Sequence, residues 1–126
     1  MLKKLLISLG IMLIVGTIVV LFVVLRQQYE GEITIKVYNS ESLIVAEGKH
    51  EFFKKTKFTE LIEKNYDAKL NNGFVDGISG LENDYPYYIF IYIDDVLSEF
   101  GINDIILEDG KVYSFKLQDM NEVYSW

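Results

Sequence analysis

The residue types that could do chemistry in this 126-residue chain concentrate in one aromatic stretch. From Tyr87 to Ile93 an extended backbone would put Tyr88, Phe90 and Tyr92 on one face and Tyr87, Ile89, Ile91 and Ile93 on the other. With the isoleucines turned inward, three rings line the open face, where they can stack on a flat ligand or a partner. In the competing arrangement, residues 67–86 fold across those rings and cover them. Tyr85 and Tyr87, with Phe100 a little further on, make a second candidate contact surface. The candidate ligand-binding residues are therefore Tyr85, Tyr87, Tyr88, Phe90, Tyr92 and Phe100.

Other patterns lead away from catalysis. Acidic residues cluster at Asp94-Asp95, Asn103-Asp104 and Glu108-Asp109, but their spacing fits no calcium loop, and solvated turns are the simpler reading. Carboxylates serve as catalytic acids or bases only beside a base, a nucleophile or an activated water, and none is at hand. His50 beside Glu51 reads as a surface turn residue rather than a dyad. Seven serines occur without a nucleophile-elbow motif or a second histidine. The lack of cysteine removes disulfides, thiolate zinc sites and thiol nucleophiles. The chain is expected to be no enzyme and to hold no metal.

The elements that would position the rings read as strands around one helix. Glu32 to Tyr38 alternates, with Ile33, Ile35 and Val37 on one face. Asn39 to Ser42 is turn chemistry, and Leu43 to Ala46 predicts the returning strand. Glu47-Gly48-Lys49 predicts another turn, with Phe52-Phe53 extended beyond it. Thr56 is placed to cap a helix in which Phe58, Leu61, Ile62 and Tyr66 recur at helical spacing, with Glu60 and Lys64 paired opposite. Asn71-Asn72-Gly73, Gly77 and Gly80 exclude a helix between 71 and 80. Pro86 to Ile93 predicts the strongest strand, Asp94-Asp95 its turn, and Lys111 to Leu117 the last strand. The expected class is α+β, one helix on one face of a mixed sheet.

Ahead of this domain, Leu5 to Leu25 is a 21-residue run without a charge. As a helix it would span about 31 Å, the thickness of a bilayer's hydrocarbon core. Sixteen of its residues are Leu, Ile, Val or Phe, which together favour insertion by on the order of 7 kcal/mol. A cleaved signal peptide is the alternative, but the run is longer than such segments and no small-x-small site follows it. Lys3 and Lys4 precede the run and predict a cytoplasmic N-terminus with the rest of the chain extracytoplasmic. The expected organisation is an anchor at 1–26, a spacer at 27–31 and an exported domain at 32–126. Residues 27–126 hold nine basic and 19 acidic residues, a net charge of −10. Such a charge argues against nucleic acid as a partner and against the domain lying flat on anionic lipid.

Several motifs occur in an order that resembles the transcobalamin C-terminal-like family. They are Thr56-Lys57-Phe58-Thr59-Glu60-Leu61, Gly73-Phe74-Val75-Asp76-Gly77-Ile78-Ser79-Gly80, Tyr88-Ile89-Phe90-Ile91-Tyr92-Ile93-Asp94-Asp95, Gly101-Ile102 and Leu107-Glu108-Asp109-Gly110. The resemblance covers roughly residues 32–118. Ile89 stands where that family commonly has Trp, Asp94-Asp95 where it has Asn-Gly, and Lys111 where it has Asp. The resemblance implies a β-grasp-like fold and a ligand-binding role, with cobalamin as a cofactor by resemblance only. Two functions follow as expectations. One is an anchored module that captures a small molecule, alone or beside a membrane transporter. The other is a structural or protein-interaction domain docking another membrane or surface protein.

Overall fold

The computed structural model describes residues 29–124 together with Thr17. The run read as a membrane anchor lies, apart from Thr17, outside the described residues. Among the described residues no helix is long and apolar enough to cross a membrane.

Alternation builds the first hairpin. Strand β1 (Tyr29–Tyr38) turns Ile33, Ile35 and Val37 inward, where all three are buried. It begins three residues earlier than expected, within the segment read as spacer, and pairs antiparallel with β2 (Ile44–Phe53). The turn between them is tied by Asn39, whose Oδ1 accepts the amides of Glu41 and Leu43.

The predicted turn at Glu47-Gly48-Lys49 is absent: β2 runs straight through it. The reason lies beneath the strand. A Cβ on Gly48 would stand 2.7 Å from Tyr66 Oη and 3.1 Å from His50 Nε2. The glycine makes room for two packed rings instead of reversing the chain.

Helix α1 (Phe58–Tyr66) buries Phe58, Leu61, Ile62 and Tyr66, the apolar stripe its spacing predicts. Thr56 is not its cap. The N-cap is Lys57, without a side-chain bond, and the Thr56 hydroxyl accepts the Phe53 amide to close the preceding turn. At the other end Asp67 takes the left-handed conformation, and Ser79 donates from both its amide and its hydroxyl to the Tyr66 carbonyl.

Residues 67–86 form a small sheet of β3 (Lys69–Asn71), β4 (Phe74–Ile78) and β5 (Leu81–Glu82). Its turns, Asn72-Gly73 and Ser79-Gly80, have positive φ at both central residues. This sheet adds Val75 and Ile78 to the core. That strand, β6 (Tyr87–Ile93), is followed by the two-residue β7 (Val96–Leu97), a 3-10 turn (Ile102–Asp104), β8 (Val112–Asp119) and a short helix α2 (Met120–Val123).

The main sheet has the order β2-β1-β8-β6-β7, with β1 and β8 parallel at its centre and antiparallel pairs outside. A parallel neighbour needs a long crossover, and everything from β2 to the 3-10 turn supplies it. The core lies between this sheet and α1, where Phe58 packs on Tyr113 and Phe115 with ring centres 4.9 and 5.8 Å apart. The expected α+β class, a mixed sheet with one packed helix, is the one observed.

Candidate functional site

Strand β6 has two different faces. Ile89, Ile91 and Ile93 pack against the core, while Tyr88, Phe90 and Tyr92 are half-buried on the far side of the sheet from α1. Phe90 is met by a ring from beyond β8. Tyr124 meets Phe90 edge-on with ring centres 5.7 Å apart. Helix α2 is positioned for this by Asp119, whose carboxylate accepts the Asn121 amide, and by a bond from the Met120 amide to the Pro86 carbonyl.

The outer edge of β6 would be open, since β7 pairs only with Tyr92 and Ile93. Three local devices occupy much of it. Tyr87 exchanges backbone bonds with Asp84, the Ile89 amide donates to Asn83 Oδ1 at 2.9 Å, and the Ile91 carbonyl accepts the Ser98 amide at 2.8 Å. Asn83 also donates from Nδ2 to the Val75 carbonyl at 3.1 Å, so one side chain ties β6 to β4. With these groups engaged, the edge is a poor template for another strand.

Alongside this edge runs a cleft of about 410 Å³. It is lined by Ile89 to Ile91 of β6, Phe74 and Val75 of β4, the loop Ser98 to Gly101, and Met120 with Tyr124. The 98–101 loop is held close by the Ile102 amide, which donates to the Gly73 carbonyl at 3.0 Å. Gly101 permits that approach, because a Cβ there would lie 2.9 Å from the same carbonyl oxygen. Phe74, Phe100 and Tyr124 are 72, 63 and 56% exposed, an unusual set of rings to leave in solvent around one depression.

Of the six residues predicted from sequence, Tyr88, Phe90 and Phe100 line this cleft. Tyr92 does not: its hydroxyl donates to Gln118 Oε1, and its ring lies 4.5 Å from the Lys116 ammonium. Burial raises its pKa above the ordinary tyrosine value. Tyr85 and Tyr87 are exposed residues outside the lining. Phe74, Asn83, Glu99, Met120 and Tyr124 were missed. Phe74 had a signal, a ring alternating with the buried Val75 directly after a turn. The role of Asn83 depends on a partner six residues on in another strand, and sequence periodicity carries no trace of it.

Elsewhere His50 is not a surface turn residue. It lies on β2, with Nε2 2.5 Å from the Tyr66 hydroxyl, and burial lowers its pKa. The acidic turn residues are exposed, and two of them, Asp94 and Asp109, also tie the backbone. Asp94 accepts the Val112 amide at 2.8 Å and pairs with Lys111 at 3.2 Å, and both hold its carboxyl below the usual range, the amide first. Asp109 accepts the Glu32 amide. Among the described residues no three His, Asp or Glu side chains converge as metal ligands.

Fold and cleft together define a small α+β domain with an aromatic depression at one sheet edge. Residues 55–119, just over half the chain, match a family described as a domain of unknown function (DUF4430), and the chain belongs to that family. Among solved structures it is similar to a protein from Ruminococcus gnavus described as a "putative metal binding protein". The likeness has a TM-score of 0.56 at 18% identity and covers 71% of this chain and 98% of that one. At that identity it speaks for the fold. No curated protein matches. Neither match bears the transcobalamin name, so that resemblance rests on the motifs alone.

Proposed function

We propose that this chain is a membrane-anchored, extracytoplasmic binding module that holds a small ring-bearing molecule in the β6-edge cleft and does no chemistry on it. The cleft carries the reading. Its volume falls within the roughly 300–1,000 Å³ of small-molecule sites, and it is lined mostly by apolar and aromatic side chains with a few polar groups. The motif resemblance to the transcobalamin C-terminal-like family, whose β-grasp-like domain covers a ligand, supports the same role. The uncharged run at 5–25 supports anchoring, and Lys3 and Lys4 ahead of it support a cytoplasmic N-terminus. A membrane transporter is a natural neighbour for such a module.

Cobalamin in particular is not favoured by the lining. The chain's one imidazole, His50, packs on Tyr66 at the opposite edge of the sheet, and Asn83 and Ser98 are the main polar partners the lining offers a corrin.

A thermal-unfolding screen of the full chain in lipid nanodiscs against soluble cofactors, cobalamin included, tests the reading. A ligand at a hundredfold excess over its Kd should stabilise by about 2.7 kcal/mol. No shift across the panel, or a shift that Phe100→Ala leaves unchanged, would move the assignment to the second reading. That reading, docking to another membrane or surface protein, has its own observation. Leu43, Ile44 and Val45 are about half exposed at the start of β2, an edge strand of the main sheet.

A further inference from the structure

We propose that the β6-edge cleft selects positively charged ring compounds, aromatic amines or quaternary ammonium ions, over neutral and anionic ones; this rests on the binding reading above and names its ligand class. Among the residues lining the cleft the one charge is Glu99, an exposed carboxylate beside Phe100. The rings of Phe74, Phe90 and Phe100 offer negative π-faces, to which an organic cation is drawn and from which an anion is repelled.

Two other depressions among the described residues differ. The one beside the β2–α1 turn, about 570 Å³, has Lys54 and Lys57 in its lining against Glu30. The groove along α1 has Lys49, Lys55, Lys57 and Lys64 against Glu51 and Glu60. A phosphate or carboxylate ligand would find counter-charges in either of those and none in the β6-edge cleft.

Two further observations point the same way. The sheet already binds an ammonium by this means, since Lys116 Nζ lies 4.5 Å from the Tyr92 ring centre and 5.2 Å from that of Tyr38. Lys116 pairs with Phe90 across the β6–β8 ladder, but its ammonium is directed at the Tyr38 and Tyr92 rings and it is not part of the cleft lining. Asp84 and Asp119 adjoin the lining residues Asn83 and Met120 in sequence, and residues 27–126 carry a net charge of −10. The surrounding field therefore concentrates cations near the cleft mouth.

Titration calorimetry on the full chain in neutral-lipid nanodiscs, with empty nanodiscs subtracted, tests this with three matched probes. They are benzyltrimethylammonium, its neutral isostere neopentylbenzene, and the anion phenylmethanesulfonate. The cation should bind about tenfold tighter than the isostere, and the anion weakest. Glu99→Gln should narrow the cation's advantage. Phe74→Leu, which keeps the apolar volume and removes a π-face, should lower cation affinity severalfold more than isostere affinity. Equal binding of cation and isostere, or tighter binding of the anion, overturns the selectivity while leaving a small-molecule site in place. No binding of any probe, together with no ligand in the cofactor screen, overturns both.

Discussion

His50 and Tyr66 show how a single glycine decides what the neighbouring side chains can do. Gly48 leaves the space in which the imidazole meets the buried phenol, and burial lowers the histidine's pKa from an ordinary value of 6.5. A histidine kept neutral in the fold binds a proton more readily once unfolded. Its contribution is therefore full above about pH 6.5 and is lost as pH falls from there through the lowered folded value. Urea midpoints measured from pH 7.5 down to pH 5 should drop in the native chain, and His50→Gln should flatten that part of the curve. An equal slope in both proteins would assign the acid sensitivity elsewhere. Gly48→Ala should cost about 1–3 kcal/mol at neutral pH, because the new methyl must displace the Tyr66 hydroxyl inside a packed interface. Urea unfolding with an unchanged m-value would measure it.

Turns and ties govern the next scale. Asp94 and Asp95 both have positive φ, 48° and 66°, in a two-residue hairpin that usually takes Asn-Gly. Their side chains are not equivalent. Asp94 recovers its strain through the Val112 amide and Lys111, whereas among the described residues no such tie holds Asp95. Asp95→Gly should therefore stabilise the domain by about 0.5–1 kcal/mol. Asp94→Gly relieves the same strain but leaves the Val112 amide without its carboxylate, and its midpoint should fall below that of Asp95→Gly in one denaturation series. Asn83 is the tie between β6 and β4. Truncation to Ala leaves the Ile89 amide and the Val75 carbonyl half-buried without it, which should cost about 1–3 kcal/mol. Hydrogen exchange at Ile89 should accelerate by more than at Ile93, which remains paired with Val96. Uniform acceleration would mean that Asn83 acts only through global stability.

At the scale of the whole molecule, what sequence could convey was set by the range of the interaction. Alternation in β1 and β6 and the stripe of α1 are local, and each appears where its period places it. The parallel pairing of β1 with β8 joins residues almost eighty positions apart, and no local period encodes it. The cleft divides in the same way: Tyr88 and Phe90 are legible from alternation, while Asn83, Met120 and Tyr124 are brought in by tertiary folding. Gly48 misled because a glycine that clears space and one that turns a chain look alike in sequence. One organisational question concerns the whole chain, because β1 begins at Tyr29, only a few residues after the uncharged run ends at Leu25. At about 3.3–3.6 Å per residue, residues 26–28 hold the start of β1 within about 15 Å of that run. If the run anchors the chain, the domain stands directly on the headgroups. The anchoring energy, on the order of 7 kcal/mol in favour of insertion, is large but finite, and one aspartate near a helix centre opposes it by about 2.5–3.5 kcal/mol. Leu13→Asp together with Val19→Asp should nearly cancel it and move the full chain from the carbonate-resistant membrane fraction to the soluble one, with either single change intermediate. Retention of the double variant in the membrane would show that residues 5–25 are not what holds the chain there.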